Sequence, residues 1–487
     1  KKISGAELKK AWELTLLNQF HDILPGSAIK DVYEDSKEQY NEVFEIDKKL
    51  SEEALSQICG SKTGDGKYLY LFNTTSFDRK DVVISNGLFE VFDGEKKLPY
   101  QHTNDGKTVW LPGLVPGKGY HSYVIKAVKE KLAEKEVSMS FEKNGRCVET
   151  PFYVVKFDDN WEIASLYDKK AGREVISEGE RGNALLAFED RPKEYDAWNI
   201  DAYYGEKCYK VNNVSEVSLV ENGEVRLILR IKRRFLQSVV DQDIIFYSNS
   251  GRIDFKTHID WKESQILLKA AFPLALDAAK ATYDIQFGNV ERPTHSNTSW
   301  EQAKFEVCAH KWADLSEAGY GVGLLNDSKY GYDVKENVMR ITLLKSGIFP
   351  NPDADKEDHF FTYSLLPHEG GFREGGLVKE GYLLNQPVFE KRTDSVPELT
   401  EKSYFTISES NVVAETIKES EDGKGFVVRM YEAHGKRTKA ELVVNGFDGK
   451  VWECDLLERN LEEGRNCKGL VSFEIKPYEI KTFKFVK

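Results

Sequence analysis

The sequence predicts a mainly β protein that opens with a pair of helices. Three observations carry that expectation. Apolar residues recur every three or four positions up to about residue 58, and at every second position in most segments beyond it. Short runs rich in Val, Ile, Tyr and Phe alternate with Gly, Asn and Pro, as strands alternate with turns. No long helical period returns further on, which favours antiparallel sandwiches over an α/β architecture.

The first helix is read from Leu8, Trp12, Leu16 and Phe20, whose spacing builds one face for burial. Pro25-Gly26 stops it, and Ser27 can accept from the free N–H groups that open the next helix. After Ser27, the positions Ile29, Val32, Tyr33, Ser36, Tyr40, Val43, Asp47, Leu50, Ala54 and Ile58 follow at steps of three and four. They predict one long helix with a mostly apolar stripe, antiparallel to the first, so that residues 1–62 form a helical hairpin. Two helices cannot close a core, so a third helix or another surface is expected to cover them.

The run from Gly60 to Gly66 reads as a flexible linker. Over residues 66–127, segments such as Tyr68–Phe72, Leu88–Phe92 and Tyr120–Ile125 outline a small β-sandwich, and a charged stretch from Lys126 to Glu136 sets it off from the next unit. Residues 138–395 carry the same pattern at larger scale, for example at Phe152–Val155, Arg226–Ile231, Asp243–Tyr247 and Gly321–Leu325, and predict a large antiparallel sandwich. Val427–Tyr431, Ala440–Val444 and Ile480–Phe485 outline a last small sandwich over 400–487.

Composition excludes some partners. A formal charge of −13 on 487 residues would repel nucleic acid and anionic membranes. No apolar run approaches the length of a membrane span, and the Lys-Lys-Ile-Ser start has no signal-peptide core. Six cysteines, at 59, 147, 208, 308, 454 and 467, form no CxxC pair. Scattered thiols of this kind suit a cytoplasmic protein better than a disulfide frame. A homo-oligomer is compatible with all of this.

The densest chemistry lies in Asn18-Gln19-Phe20-His21-Asp22-Ile23-Leu24-Pro25-Gly26-Ser27. It sets a metal-capable imidazole beside a carboxylate where an apolar helix breaks. Taken alone, a His near a helix end is more often a structural hydrogen-bonder than a ligand. The whole run, however, resembles the segment that follows the catalytic domain in family 38 glycoside hydrolases, the retaining α-mannosidases, above all their bacterial and cytosolic branch. The resemblance implies that His21 is a zinc ligand and that Asp22 contacts hydroxyls of a bound mannose. It also implies that the helical hairpin is part of a three-helix bundle and that the large domain is a supersandwich of the galactose-mutarotase type. In that family the other zinc ligands and the Asp nucleophile lie on an α/β domain before this motif, whereas twenty residues precede His21 here. The chain is therefore expected to be the C-terminal half of such an enzyme, without a nucleophile of its own and inactive alone. Its expected partners are that N-terminal catalytic domain and a mannose-containing glycan or oligosaccharide.

Other clusters extend the resemblance. In Tyr195-Asp196-Ala197-Trp198-Asn199-Ile200-Asp201, aromatic rings alternate with carboxylates. Rings stack on the C–H faces of sugars while carboxylates accept their hydroxyls, although such residues can also simply pack at a sandwich edge. The family's very similar Asp-Ala-Trp loop implies that Asp196 and Trp198 line the substrate cleft. Asn326-Asp327-Ser328-Lys329-Tyr330 reads as a turn closing a strand. Its family counterpart approaches the cleft, implying substrate contacts at Asp327 and Lys329, while the residues alone allow a surface ion pair. His310, near Asp314, is read as structural for want of a third ligand. The stretch from Asp355 to His359 departs from the family pattern, which has a glycine where Lys356-Glu357-Asp358 stands.

The chemistry implied is a retaining hydrolysis. Zinc, held by two His and two Asp, grips adjacent hydroxyls of mannose; one carboxylate attacks the anomeric carbon and a second acid protonates the leaving oxygen. That pair must stand about 5–5.5 Å apart, and nothing in this sequence assigns it here. The competing reading is a stand-alone carbohydrate-binding or scaffold protein, which would have no need of a His-Asp pair at a helix break. An aldose epimerase is disfavoured, because no His and Glu pattern of that kind surrounds His258 or His310.

Overall fold

Ser4 starts the first helix by accepting the N–H of Glu7, and α1 runs over Gly5–Asn18. The structure, a computed structural model, describes residues 4–60, 66–129 and 138–487. The core of the expected linker, 61–65, and most of the charged stretch, 130–136, lie outside the described residues. A run of turns over 19–29 leads into α2, Lys30–Cys59. Ser27 does not cap α2 as expected. Its hydroxyl turns back to Asp22, and the N–H of Ala28 is taken by the hydroxyl of Tyr33, 2.9 Å away.

The two helices are antiparallel, tied by Asn18 Nδ2 donating to Gln39 Oε1 (2.7 Å) and by Lys49 paired with Glu7 (2.6 Å). Their seam is narrow: Ala11 and Asn18 are buried on α1, and Val43, Leu50 and Cys59 on α2. The face expected to be buried on α1 is open instead. Leu8, Trp12, Leu16, Leu17 and Phe20 are all exposed, Trp12 at 59%. The period was read correctly, but it faces away from α2, so nothing in the described residues covers it.

Beyond the helices the protein is strand and turn. In the first small sandwich, strands Tyr68–Asn73, Gly119–Ala127 and Phe89–Asp93 form a sheet that faces the three-stranded sheet of Val83–Asn86, Lys107–Trp110 and Tyr100–His102. Leu69, Leu71, Phe89, Val91, Trp110 and Tyr123 fill the space between. On the other side of Tyr68–Asn73, Tyr70 and Phe72 meet Tyr120 and Cys59, which seats the end of α2 on this sandwich. The outer neighbour of Tyr68–Asn73 is strand Phe389–Thr393, paired Tyr68 to Thr393 and Phe72 to Phe389. Sequence reading had left those residues in the large sandwich, because alternation marks a strand but not its partner.

The large sandwich stacks a nine-stranded antiparallel sheet on a six-stranded one, with a further five-stranded sheet at one side. Its central strand, Asp358–Glu369, runs between Ile253–Asp260 and Tyr320–Asn326. One apolar core links all three sheets, from Val148 and Leu166 through Leu229, Phe255 and Leu268 to Leu324 and Leu365. A helix, Leu377–Asn385, packs over Trp312 and wedges this core against Val413 and Tyr431 of the C-terminal sandwich. That sandwich pairs a three-stranded sheet with a five-stranded one around Val428, Leu442, Phe447, Phe483 and Phe485. Among the described residues no helix is long and apolar enough to cross a membrane.

Candidate functional site

The break between the helices projects two of the expected site residues. His21 is exposed, with Nε2 3.2 Å from Asp22 Oδ2. Asp22 is held from behind: Ser27 Oγ lies 3.2 Å from its Oδ1, and the hydroxyl of Tyr33 donates to its carbonyl at 3.3 Å. The carboxylate is thus fixed in direction while the imidazole is free on its outer side. Among the described residues no group of three His, Cys, Asp or Glu gathers closely enough to hold a metal ion. One imidazole and one carboxylate can contribute to a metal site but cannot complete a tetrahedral one.

Directly after this corner a cleft of about 560 Å³ opens between α2 and the large sandwich, within the size range of small-ligand sites. Its helical wall is Pro25, Gly26, Lys30, Tyr33, Ser36 and Lys37, and the facing wall comes from Lys345, Gly347, Phe349 and the loop Asn351–Glu357. Two ion pairs span it, Lys30 with Asp353 (3.7 Å) and Lys37 with Glu357. Ala197 reaches it from the aromatic loop.

Asp196 acts from behind the wall. It is 9% exposed, and its Oδ2 accepts the N–H groups of Ile348 and of Phe349 (3.1 Å), so its carboxylate shapes the cleft without facing it. Gly347 is needed there, since a Cβ would come within 2.8 Å of that Oδ2. Lys345 donates to the Asp196 carbonyl and pairs with Asp190, each at 2.6 Å. Burial raises the Asp190 carboxyl above its usual range despite that lysine. Trp198 is exposed at 60%, beside Ala197, with its ring 6.0 Å from that of Tyr195.

Asp327 and Lys329 do not pair with each other. Asp327 clasps Thr362, accepting its N–H with both oxygens at 3.0 Å. Lys329 lies over the ring of Phe361, 4.6 Å from the centroid. Burial lowers its ammonium, against the pull of Asp355 and Asp327. Asp314 binds His368 (2.9 Å) and Ser316 (2.6 Å) rather than His310, a structural trio in which Asp314 and His368 are buried.

Sequence reasoning gave Asp355 little weight. The structure places it in the cleft wall at φ +58°, exposed, with its carbonyl 2.8 Å from the ring of His359. The protein walls raise its carboxyl, while His359 and Lys329 pull the other way. The signal available was its spacing from His359, set aside because the glycine was missing. Tyr33 was read only as part of an apolar stripe. Its hydroxyl is raised by burial and by the nearby carboxylates of Asp355 and Asp22, despite the hydrogen bond from Ala28.

Comparison with known proteins agrees with this layout. Residues 1–58 match the alpha mannosidase middle domain, 148–353 the glycosyl hydrolases family 38 C-terminal domain, and 411–483 the family 38 C-terminal beta sandwich domain. Alpha-mannosidase G of Dictyostelium discoideum is 32% identical over 527 aligned residues, covering 98% of this chain and 48% of that protein. Human Alpha-mannosidase 2C1 is 33% identical, covering 93% and 43%. The chain spans about half the length of the relatives it matches. A crystal structure of an alpha-mannosidase from Enterococcus faecalis V583 superposes with a TM-score of 0.80 at 17% identity, over 98% of this chain and 63% of that one, which establishes the shared fold.

Proposed function

Since this chain belongs to glycosyl hydrolase family 38, we propose that it is the C-terminal part of a zinc-dependent, retaining α-mannosidase that acts in the cytoplasm on terminal α-linked mannose of glycans or oligosaccharides. The observation that carries this reading is the corner itself: an exposed His21 beside a braced Asp22, at the entrance of a cleft between helix and sandwich. His21 offers one zinc ligand, and Asp22 accepts a hydroxyl of the mannose. Zinc, when bound, grips and orients neighbouring hydroxyls of that sugar. The donor set here fits as one share of a site, so the remaining ligands belong to the N-terminal catalytic domain of the same protein, together with the nucleophile and the acid. The open face of Leu8, Trp12, Leu16 and Phe20 supports that arrangement, because an apolar surface of this extent marks a place of contact. Asp196 holds the cleft wall in shape. Trp198 offers a ring to the sugar's C–H face at the rim, and Lys329 adds positive charge near the cleft.

The test is His21→Ala in the whole protein. The zinc content should drop towards zero and turnover of an aryl α-mannoside should fall by at least about a hundredfold. Unchanged zinc and turnover would remove His21 from the site.

A further inference from the structure

The cleft begins where the corner ends. Pro25 and Gly26 line it, while His21 and Asp22 do not. On the reading above, on which this inference rests, a terminal mannose held at the corner would send the next unit of its chain into the cleft. The wall it meets carries three exposed carboxylates, Asp353, Asp355 and Glu357, and the turn at Asp355 is pinned by the ring of His359 on its carbonyl. Lys329 lies close enough to act on the Asp355 carboxylate electrostatically, and Tyr33 faces it across the cleft.

The charges around the cleft favour a neutral, hydroxyl-rich ligand over an anion. Lys30 and Lys37 are matched by Asp353 and Glu357, Lys345 is matched by Asp190, and Lys356 lies 3.9 Å from Asp353. Among the described residues, Asp355 on the sandwich wall and Glu34 on the helical wall stand outside these ion pairs, and a carboxylate of this kind accepts two neighbouring hydroxyls.

We propose that Asp355, its turn held by His359, is the specificity-determining contact for the second sugar of the substrate, on the leaving side of the scissile bond. Asp355→Asn in the whole protein tests this, because Asn tolerates the left-handed backbone that Asp355 adopts. The measurement is kcat/KM for differently linked α-mannobioses against kcat/KM for an aryl α-mannoside, whose leaving group has no hydroxyls to offer. The ratio of disaccharide to aryl activity should fall about tenfold on the best disaccharide, the loss expected for one charge-assisted hydrogen bond. Most of that fall should be in KM. A ratio unchanged by the substitution, with the unsubstituted protein active on both, overturns the Asp355 assignment and leaves the mannosidase reading standing. A protein that releases mannose from neither substrate overturns both.

Discussion

Trp12 and Trp261 lie in two regions whose apolar patterning looks alike on paper, yet Trp12 is 59% exposed and Trp261 is fully enclosed. In the large sandwich every central strand finds hydrogen-bonded neighbours on both edges and a second sheet across the core. In the hairpin α1 packs on α2 alone among the described elements, across a seam that closes over a few side chains. The lesson is that periodicity identifies an element and its apolar side, while enclosure depends on whether an opposing surface exists.

Three experiments break or sharpen that contrast, in descending size. Phe255 is fully buried between Tyr363 and Phe272, so Phe255→Ala should lower unfolding free energy by about 3–5 kcal/mol in urea titrations. A loss under about 1 kcal/mol would mean that the sandwich is not the rigid half.

Next in size is a buried ion pair in the same domain. Burial alone would raise the Asp254 carboxyl, but the charge of Arg252 and hydrogen bonds from Arg252, Ser364 and Tyr247 outweigh it and hold it below the usual range. A depressed carboxyl contributes stability above its unfolded value, near pH 4, and loses it as pH falls through the lower folded value. Asp254→Asn should therefore cost about 3 kcal/mol at neutral pH and flatten the decline in urea midpoint below about pH 4. An acid decline as steep as in the unsubstituted chain would assign it to other carboxylates.

The smallest effect belongs to the hairpin. Trp12→Ala should change the stability of this chain by no more than about 0.5 kcal/mol, since the ring already meets water. In the whole enzyme the same substitution should cost several times more if the proposed domain contact exists. Equal, negligible losses in both would leave the exposed face without that role.

The fold was legible wherever a property of short segments decides it. The switch of period near residue 66 and the sandwiches follow from local chemistry, whereas the first helix ends at Asn18, seven residues before the Pro25-Gly26 pair expected to stop it. What escaped was set by long-range contact. The pairing of Phe389–Thr393 with the first sandwich has no local mark, and neither does the short helix Leu377–Asn385 that wedges two domains together. The site divided in the same way. His21 and Asp22 stood out because they are neighbours in the chain and match a family motif. Asp196 was chosen as a lining group but lies behind the wall, and Asp355 was passed over although it stands in it, because only the folded loops decide which carboxylate faces the cleft.

The pairing of Tyr68–Asn73 with Phe389–Thr393 also bears on how the protein is made. The edge partner of Tyr68 is Thr393, roughly 320 residues later, so on a ribosome moving at about 5–20 residues per second that edge stays unpaired for some tens of seconds. During that interval the nascent first sandwich presents a strand buried on nearly every side chain in the finished protein, and unpaired strands of this kind template aggregation. It is during biosynthesis, rather than in the finished fold, that this edge is most open to misplaced pairing.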